Sequence, residues 1–323
     1  MRAIVFTRYG IPDILPLCDR PAPVAPERGV LVRVHAASLN ALDWYLYSGR
    51  LSAVRLAFGR TRPRRPVPGV DFAGTVEAVG PRASRFRVGD AIFGVAPGTL
   101  AELVAVAEDK AAPIPGGVSF EQAAALPVAG TTALQGLRDH GRVQAGQQVL
   151  VNGAAGGVGS FAIQVARALG AEVTAVCGAA HLDQARALGA AHVVDYARDD
   201  VTLSERRFDL VFDVAGGHSW KKFRRVLEPG GRLVLAGGPR KRWYGPLGHV
   251  LAMHVAALGE RGRLVSFVAR ITPADLQALA ELVVAGTLRS VFDRFPMTEA
   301  AQAFRALGAG HSRGKNVLYW PQT

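Results

Sequence analysis

Three glycines spaced three residues apart, Gly153, Gly156 and Gly159, could bind the phosphates of a nucleotide. An apolar run short enough for a buried strand ends at Asn152, and apolar residues recur at helical spacing after Gly157. Small residues let a backbone approach a pyrophosphate, and the N–H groups at a helix N-terminus attract its negative charge. We therefore predict a dinucleotide site in a strand–turn–helix unit. Its candidate residues are Gly153, Ala154, Gly156, Gly157 and Val158.

Residues that could hold a metal ion are few and scattered. The chain has two cysteines, Cys18 and Cys177, and eight histidines that show no paired spacing. A zinc site needs three or four Cys, His or carboxylate ligands. The sequence therefore predicts no metal. Two distant cysteines also form no disulfide framework, which favours a reducing, cytoplasmic setting.

The elements that must position these residues change character along the chain. Residues 1–119 are rich in strand signals, from residue 120 strands and helices alternate, and residues 287–323 return to short strands and one helix. Alternating strands and helices predict a parallel sheet with right-handed crossovers. Predicted strands are 3–8, 30–35, 72–79, 91–95, 101–106, 149–152, 172–177, 192–196, 209–214, 232–236 and 264–269. Predicted helices include 157–169, 181–188, 220–227 and 297–307, and one that begins after the capping residue Thr272 and ends at Gly286. A further helix begins after Ser119 and is broken or kinked by Pro127, and another opens at Gly130.

The formal net charge of +12 comes from arginine-rich stretches. Six arginines and no acid lie between Asp43 and Asp71, and further basic clusters occupy 221–225 and 240–242. A solvated surface is one interpretation, and attraction of an anionic cofactor or substrate, or weak nucleic-acid binding, is the other. No aromatic residues interleave the arginines at 60–65, so no stacking platform for nucleic acid is indicated. We find no signal-peptide pattern and no apolar run of membrane-spanning length.

Several short motifs occur in an order and spacing typical of one family. They lie at 38–43, 68–76, 129–133, 149–159, 188–190, 194–196 and 314–317. The chain resembles the zinc-free quinone oxidoreductase branch of the medium-chain dehydrogenase/reductase superfamily along nearly its whole length. The resemblance implies an α/β protein in which a Rossmann-type parallel sheet domain, residues 120–286, is inserted in a GroES-like β-rich catalytic domain, residues 1–119 completed by 287–323. It also implies an active site in the cleft and, since members are commonly dimers or tetramers, a homodimer.

The resemblance assigns roles beside the nicotinamide. Asn40, Asp43 and Tyr45 match the family's Asn-x-x-Asp-x-Tyr pattern. Asn40 and Tyr45 are expected to polarise the substrate oxygen as hydrogen-bond donors, with Tyr45 also a candidate proton donor, and Asp43 to orient its neighbours. The alternative for all three is a loop-stabilising role, because Asn and Asp are favoured in turns. Asp71, an acid in an apolar stretch, is expected to form structural hydrogen bonds, and a catalytic role is the alternative.

Zinc-dependent relatives place a cysteine near position 40 and a histidine near position 70, where this chain has Asn40 and Val70. Dehydrogenating a simple alcohol without zinc needs another way to stabilise an alkoxide. Reducing a quinone or an α,β-unsaturated carbonyl is easier, because the charge delocalises onto an oxygen that ordinary donors can stabilise.

The strand that follows the glycine turn bears on the choice between NAD and NADP. An NAD site usually has an acid about 20 residues past the turn, whereas this strand ends in Cys177, Gly178, Ala179 and Ala180. The missing acid removes both a ribose anchor and the repulsion against a 2′-phosphate, which favours NADP(H). NADP-using relatives often carry a serine and then an arginine or lysine here, so the phosphate needs other partners. Candidates are Tyr196, by resemblance, and His181, Arg186 and Arg198, for which a solvated surface role is the alternative.

Five further residues are candidate cofactor contacts. Gly216 and Gly237 lie at the ends of predicted parallel strands, where ligands bind in such sheets. Thr131, Lys315 and Asn316 match family positions at the nicotinamide or over the cofactor. For Thr131, a helix-capping role is equally open.

We predict a zinc-independent, NADPH-dependent oxidoreductase that transfers hydride to a quinone or an α,β-unsaturated carbonyl. A second enzymatic interpretation is a reductase or dehydrogenase of a specific secondary metabolite. A third is an NADPH-holding nucleic-acid-binding protein. The nucleotide turn and the cleft motif favour an enzyme, and the missing stacking surface makes nucleic-acid binding the weaker interpretation.

Overall fold

The computed structural model describes residues 1–10, 15–49, 55, 58–238, 245–260, 263–310 and 312–321. Arg50 and the basic cluster at 240–242 lie outside these residues. The chain forms two compact units. The β unit comprises Met1–Thr131 and Arg270–Thr323, and the α/β unit comprises Thr132–Ala269.

The elements are numbered in chain order. The strands are β1 (Arg2–Ile4), β2 (Leu17–Asp19), β3 (Gly29–Leu39), β4 (Asp71–Val79), β5 (Ala91–Val95), β6 (Leu103–Ala107), β7 (Ala111–Pro113), β8 (Gln148–Asn152), β9 (Glu172–Cys177), β10 (His192–Asp195), β11 (Phe208–Asp213), β12 (Leu227–Leu235), β13 (Leu264–Ser266), β14 (Phe292–Pro296) and β15 (Lys315–Tyr319). The helices are α1 (Ala41–Ser48), α2 (Phe120–Ala124), α3 (Pro127–Gln135), α4 (Gly157–Ala168), α5 (Leu182–Ala187), α6 (Trp220–Arg224), α7 (Gly245–Ala256), α8 (Pro273–Val284) and α9 (Ala300–Ala309). A π-helical turn, Gly136–Gly141, follows α3.

The β unit contains a sheet with the strand order β14-β15-β3-β4-β5-β7, in which β6 also pairs with β3. Strand β15 runs antiparallel to β3, with Asn316 opposite Leu39, and Ser38 of β3 lies opposite Asp71 of β4. Alternate apolar residues of these strands face one core. The register therefore places the end of β3, the start of β4 and the start of β15 side by side.

Two helical segments predicted within the Rossmann domain pack in the β unit. Helix α2 lies against β3 and β4, and α8 lies against β7. Side-chain contacts fasten the first segment: the Phe120 ring lies 4.3 Å from the His35 ring, between centroids, and the Ser290 hydroxyl donates to the Gln122 carbonyl. The unit boundaries therefore fall at 131/132 and 269/270, where the sequence placed them at 119/120 and 286/287. A helix's apolar pattern shows which face is buried, but it does not show which sheet covers that face.

The α/β unit contains a fully parallel sheet in the order β10-β9-β8-β11-β12-β13. From β8 the chain adds β9 and β10 on one side of the sheet. It then returns to place β11, β12 and β13 on the other side of β8. Ligands of such sheets bind at the carboxyl ends of the strands where the order reverses. The turn that follows β8 lies at this point.

Several predicted elements differ from the structure. Helices α1 and α7 and strands β2 and β7 were not predicted. Helix α6 ends at Arg224 and β12 begins at Leu227, so the glycine pair at 230–231 lies inside an irregular strand instead of a turn before it. The helix that begins after Ser119 ends at Ala124, in agreement with the break predicted at Pro127. Pro127 itself begins α3, earlier than the predicted start at Gly130, because proline at the first helical position lacks only an N–H that would have no intrahelical partner. Within the described residues, no helix is long and apolar enough to cross a membrane.

Candidate functional site

The three glycines of the turn after β8 differ in what surrounds the position that a Cβ would take. Gly153 has a φ of +90°, and a Cβ there would lie 2.9 Å from the Ala215 Cβ. A Cβ on Gly159 would collide with the Gly153 carbonyl oxygen. Packing of the chain against itself therefore accounts for both. Gly156 differs, because a Cβ there would have only the Gly153 oxygen nearby, at 3.9 Å.

Open space at Gly156 lies at the N-terminus of α4. Gly156 is the N-cap of this helix and offers no side chain to accept from the first-turn N–H groups. Gly157 and Val158 are the first two helical residues, so their N–H groups point toward this end. Ala154 is not part of this donor set, because its N–H donates to the Val176 carbonyl at 2.9 Å. The uncapped helix end and the unfilled space suit a phosphate group.

The neighbouring strand ends carry a buried acid that the sequence analysis missed. Asp213, at the end of β11, is fully buried and its Oδ1 accepts from the Asn152 amide at 2.8 Å and from the Gly216 N–H at 2.9 Å. Together these two bonds hold the loop that contains Gly216 next to Asn152, the last residue of β8. A Cβ on Gly237 would collide with the Val214 carbonyl oxygen, so close strand packing is sufficient to require that glycine. The sequence signal that could have identified Asp213 is a carboxylate at the end of an apolar strand.

The end of β9 presents the groups predicted for a 2′-phosphate. The Tyr196 hydroxyl lies 3.4 Å from the position of a Cβ on Gly178, so a side chain there would crowd the tyrosine. Tyr196 and Arg198 are exposed, and Arg198 has no ion pair within the described part of the chain. Arg186 instead pairs with Asp183, at 2.7 Å. The structure therefore favours Arg198 over Arg186 as a phosphate ligand.

The α/β unit also contains a cavity of about 410 Å³, which lies away from the turn after β8. Its lining includes Thr174, His192 and Arg206. His192 opens β10, pairs with Thr174, and so lies away from the carboxyl ends of the strands. The cavity is therefore separate from the turn after β8.

The β unit buries a polar cluster where β3, β4 and β15 meet. We call Ser38, Asn40, Asp71 and Lys315 the Asp71 cluster. The Lys315 ammonium donates to Asp71 Oδ2 at 3.0 Å and to the Asn40 Oδ1 at 2.7 Å. Asp71 Oδ2 also accepts from the Ser38 hydroxyl at 2.9 Å and the Asn40 amide at 3.0 Å. Its Oδ1 accepts from the first-turn N–H of Val128 in α3 at 3.2 Å, so Asp71 has the structural hydrogen bonds expected of it.

Asp43 fixes the start of α1 next to this cluster. Its carboxylate accepts from the Asn40 N–H at 2.8 Å and from the Gly69 N–H at 3.2 Å. Burial disfavours the charged carboxylate and raises the pKa of Asp43 to about 6, the negative charge of Asp71 acts in the same direction, and the two N–H bonds oppose the shift. The residue thus orients Asn40 through the backbone, as part of a helix N-terminus instead of a loop.

The predicted donors are partly engaged. Asn40 uses its amide oxygen for Lys315 and one N–H for Asp71, which leaves one N–H to donate. Tyr45 is buried in α1, with its ring 5.4 Å from that of Trp44 between centroids. One N–H of Asn40 is therefore available to a substrate oxygen, while Tyr45 has a further contact within the protein.

Thr131 and Asn316 were predicted cofactor contacts, and both lie in the β unit. Thr131 is inside α3, four residues after its start, so it is not the helix cap. Its side chain is fully buried, and its hydroxyl has no hydrogen-bond partner among the described residues. Asn316 follows Lys315 on β15 and so lies on the opposite face, where its amide donates to the Ala303 carbonyl at 2.8 Å. This bond ties β15 to α9 and is sufficient to explain the residue.

The cluster does not suit zinc. Asn40 and Val70 stand at the positions where the zinc-dependent relatives have ligands, and an ammonium already lies within 3.0 Å of the buried carboxylate of Asp71. A second cation there would meet charge repulsion. Across the described ranges, no group of three His, Cys, Asp or Glu residues could hold a metal ion.

Two family profiles match the chain, an alcohol dehydrogenase GroES-like domain at residues 26–116 and a zinc-binding dehydrogenase at residues 188–318. Among curated relatives, the quinone oxidoreductase of Pseudomonas aeruginosa is 34% identical, and the match covers 98% of this chain and 99% of that protein. Among solved structures, the quinone oxidoreductase of Coxiella burnetii superposes with a TM-score of 0.88 at 31% identity, over 99% of each chain. The Escherichia coli quinone oxidoreductase complexed with NADPH has a TM-score of 0.83 at 26% identity, over 99% of this chain and 100% of that one.

Full-length similarity of this kind agrees with the two units seen in the structure. The six-stranded parallel sheet and the GroES-like β unit are the two domains that the resemblance implied. The chain therefore belongs to the quinone oxidoreductase branch of the medium-chain dehydrogenase/reductase superfamily, a superfamily of oxidoreductases.

Proposed function

We propose that this protein is an NADPH-dependent oxidoreductase that reduces a quinone or an α,β-unsaturated carbonyl without a metal ion. The observation that carries the proposal is the open space at Gly156 in front of the uncapped N-terminus of α4. Packing does not require a glycine there, whereas a bound pyrophosphate would. The NADPH complex of the similar Escherichia coli enzyme supports the choice of nucleotide.

The nucleotide would be held by the α/β unit and would supply the hydride. Gly156, Gly157 and Val158 bind the pyrophosphate in this proposal. Tyr196 and Arg198 face the 2′-phosphate, since Arg198 is exposed and has no ion pair within the described residues. The Gly216 loop, fixed by the bond from its N–H to Asp213, would accept the nicotinamide ribose. The unpartnered hydroxyl of Thr131 is a proposed further contact of the nicotinamide.

The β unit would supply the groups that stabilise charge on the acceptor. Hydride addition to an electron-poor carbon leaves negative charge on an oxygen, and fixed hydrogen-bond donors stabilise that charge. The remaining N–H of Asn40 and the hydroxyl of Tyr45 are the proposed donors. Lys315 strengthens the first, because an ammonium bound to the Asn40 oxygen polarises the amide and makes its N–H more acidic. Asp43 keeps Asn40 in place through its backbone N–H.

The experiment is steady-state oxidation of NADPH and NADH with a panel of quinones and enones. NADPH should be preferred, quinones and enones should be reduced, and simple ketones should not. Asn40→Leu should lower kcat by about 100- to 1,000-fold, the range found for the loss of one oxyanion donor, and leave the Kd for NADPH unchanged. Asn316→Leu, in which the altered amide faces α9, is the matched control. Loss of NADPH binding in Asn40→Leu, or turnover of simple alcohols alone, would contradict the proposal.

We also propose that the protein is a cytoplasmic homodimer that acts on a small molecule. Among the described strands β13 pairs only with β12, so one edge of the parallel sheet is free to pair with a second copy. Light scattering after size exclusion tests this, and a monomer at micromolar concentration would contradict it.

A further inference from the structure

A group of exposed arginines lies next to α1 and has no part in the function proposed above. We call Arg55, Arg60, Arg62, Arg64 and Arg65 the arginine segment. All five are exposed, and none forms an ion pair within the described residues. Some other arginines of the β unit do form ion pairs, as Arg33 does with Glu77 at 2.8 Å. The positive charge of the segment is therefore not neutralised by the fold.

Acids that could neutralise the segment are absent from its stretch of chain. No aspartate or glutamate lies between Asp43 and Asp71. Both of these acids are buried and already bonded, Asp71 to the Lys315 ammonium and Asp43 to backbone N–H groups. A group of like charges without countercharges disfavours the folded chain slightly and gives it no stability in return.

The segment is fastened to the helix that carries the proposed substrate donors. The Tyr47 hydroxyl of α1 donates to the carbonyls of Arg65, at 2.9 Å, and Val67, at 3.1 Å. The Asp43 carboxylate holds the Gly69 N–H at the far end of the segment. These bonds keep the arginines beside α1.

A second anchor lies at the other end of the segment. The Tyr9 hydroxyl donates to the Gly59 carbonyl at 2.6 Å, and the Arg55 guanidinium lies over the Tyr9 ring, 5.1 Å from its centroid. The charge of Arg65 also acts on the Tyr47 hydroxyl of α1. Burial raises the pKa of the Tyr47 hydroxyl and the charge of Asp43 adds to this, while Arg65 acts in the opposite direction.

The Arg55 guanidinium donates to the Arg60 carbonyl, at 3.1 Å from its Nη2. Exposed guanidinium groups without an ion pair bind carboxylates, sulfonates and phosphates through charged hydrogen bonds. A positive surface also raises the local concentration and the association rate of anions, by about 10- to 1,000-fold at low salt. Only one exposed aromatic residue, Phe58, accompanies the segment, which is too few for the stacking that single-stranded nucleic acid requires. The position beside α1 thus favours a small anionic substrate over a polymer.

We propose that the arginine segment selects acceptors that carry negative charge, so that the preferred substrate is a quinone or enone bearing a carboxylate, sulfonate or phosphate group. This inference rests on the proposed function, because it names the class of substrate for the same site. The arginines act on binding and encounter, and the donors of Asn40 and Tyr45 act on the reacting oxygen.

The test compares kcat/KM for 1,4-naphthoquinone-2-sulfonate and for neutral 2-methyl-1,4-naphthoquinone over a range of salt concentrations. With the wild type, kcat/KM for the sulfonate should fall by about 10-fold from 10 mM to 300 mM salt, while that for the neutral quinone changes little. Arg62→Gln/Arg64→Gln should lower the sulfonate-to-neutral ratio by about 3- to 10-fold and flatten its salt dependence. Lys221→Gln/Arg225→Gln, which removes the same charge from exposed positions of the α/β unit, should leave the ratio unchanged.

Three results would overturn the inference: equal loss with both quinones, equal loss in the control variant, or a sulfonate preference that does not respond to salt. Calorimetric titration with the sulfonate separates this inference from the proposed function. If neither quinone is reduced but the sulfonate binds the wild type and binds Arg62→Gln/Arg64→Gln more weakly, the proposed function fails and the anion site stands. Binding of a single-stranded oligonucleotide that outcompetes the sulfonate at physiological salt would show a polymer site and overturn the small-anion assignment.

Discussion

Replacing Lys315 by methionine removes the only cation of the Asp71 cluster. The side chain of Lys315 is 4% exposed and that of Asp71 is 0% exposed, so the carboxylate would be left buried without a countercharge. Its bonds from Ser38, Asn40 and Val128 remain, but they carry no full charge. Breaking a buried ion pair by removing one partner typically lowers the free energy of unfolding by about 3–5 kcal/mol. We expect a loss of this size for Lys315→Met.

The assay is urea unfolding of four proteins: the wild type, Lys315→Met, Asp71→Asn and the double variant. Each single variant leaves one buried charge unpaired, whereas the double variant leaves none. The double variant should therefore lose less free energy of unfolding than the sum of the single variants, by more than about 0.5 kcal/mol. Arg33→Met is a matched control, because Arg33 and Glu77 join β3 and β4 as Ser38 and Asp71 do, but at exposed positions. It should lose less than about 1 kcal/mol.

Two outcomes would refute this reasoning. Lys315→Met could lose no more stability than the exposed control, which would mean that water or a shifted side chain neutralises Asp71. The losses of the single variants could also simply add, which would mean that Lys315 and Asp71 are not coupled in the folded protein.

Three further predictions concern the titration of Asp43 and the nucleotide site. The pKa of Asp43 is raised from 3.8 to about 6 in the fold, so its stabilising contribution is fully present only below pH 3.8 and is lost as the pH rises through 6. Relative to Asp43→Asn, the wild type should lose roughly 2 kcal/mol between pH 4 and pH 7, and a pH-independent difference in urea unfolding would contradict this. Gly156→Val should weaken NADPH binding by more than about 10-fold by filling the phosphate space, while Gly116→Val, at an exposed glycine with open space around it, should not, as measured by fluorescence titration. Arg198→Ala should raise the Kd for NADPH by about 10-fold and change the Kd for NADH little, and Arg186→Ala should have a smaller effect. An equal rise in Kd for both nucleotides would show that Arg198 does not bind the 2′-phosphate.

Local signals in the sequence were sufficient for much of the fold. The glycine turn, the alternation of strands and helices and the capping pattern at Ser119 each depend on neighbours in sequence, and the structure has β8, α4 and α2 where they were predicted. Helix α1 was missed because Asp43, Trp44, Tyr45, Tyr47 and Ser48 are weak helix formers, so that only Ala41, Leu42 and Leu46 favour a helix. Its start is set by the Asp43 carboxylate on the Asn40 N–H, and Gly49 ends it in the left-handed region.

The candidate site was predictable in its residues but not in their connections. Asn40, Asp43, Asp71 and Lys315 were each singled out, yet the sequence did not show that Lys315 bonds to both Asn40 and Asp71. That contact joins residues 275 and 244 positions apart along the chain and depends on the pairing of β15 with β3. Asp213 was missed for the same reason, since its partner Asn152 lies on a neighbouring strand 61 positions away. Register between distant strands is set by the packed core, which local patterns do not encode.

The central claim is that hydride passes from NADPH to an electron-poor carbon of the acceptor. The most direct measurement uses NADPH with two deuterium atoms at C4 of the nicotinamide, an α,β-unsaturated ketone, and mass spectrometry and NMR of the product, with the protein treated beforehand with a chelator. We predict one deuterium on the β-carbon of the saturated ketone, with a turnover rate that the chelator does not change. A product without deuterium, deuterium on the carbinol carbon of an alcohol, or activity that depends on added zinc would contradict the account.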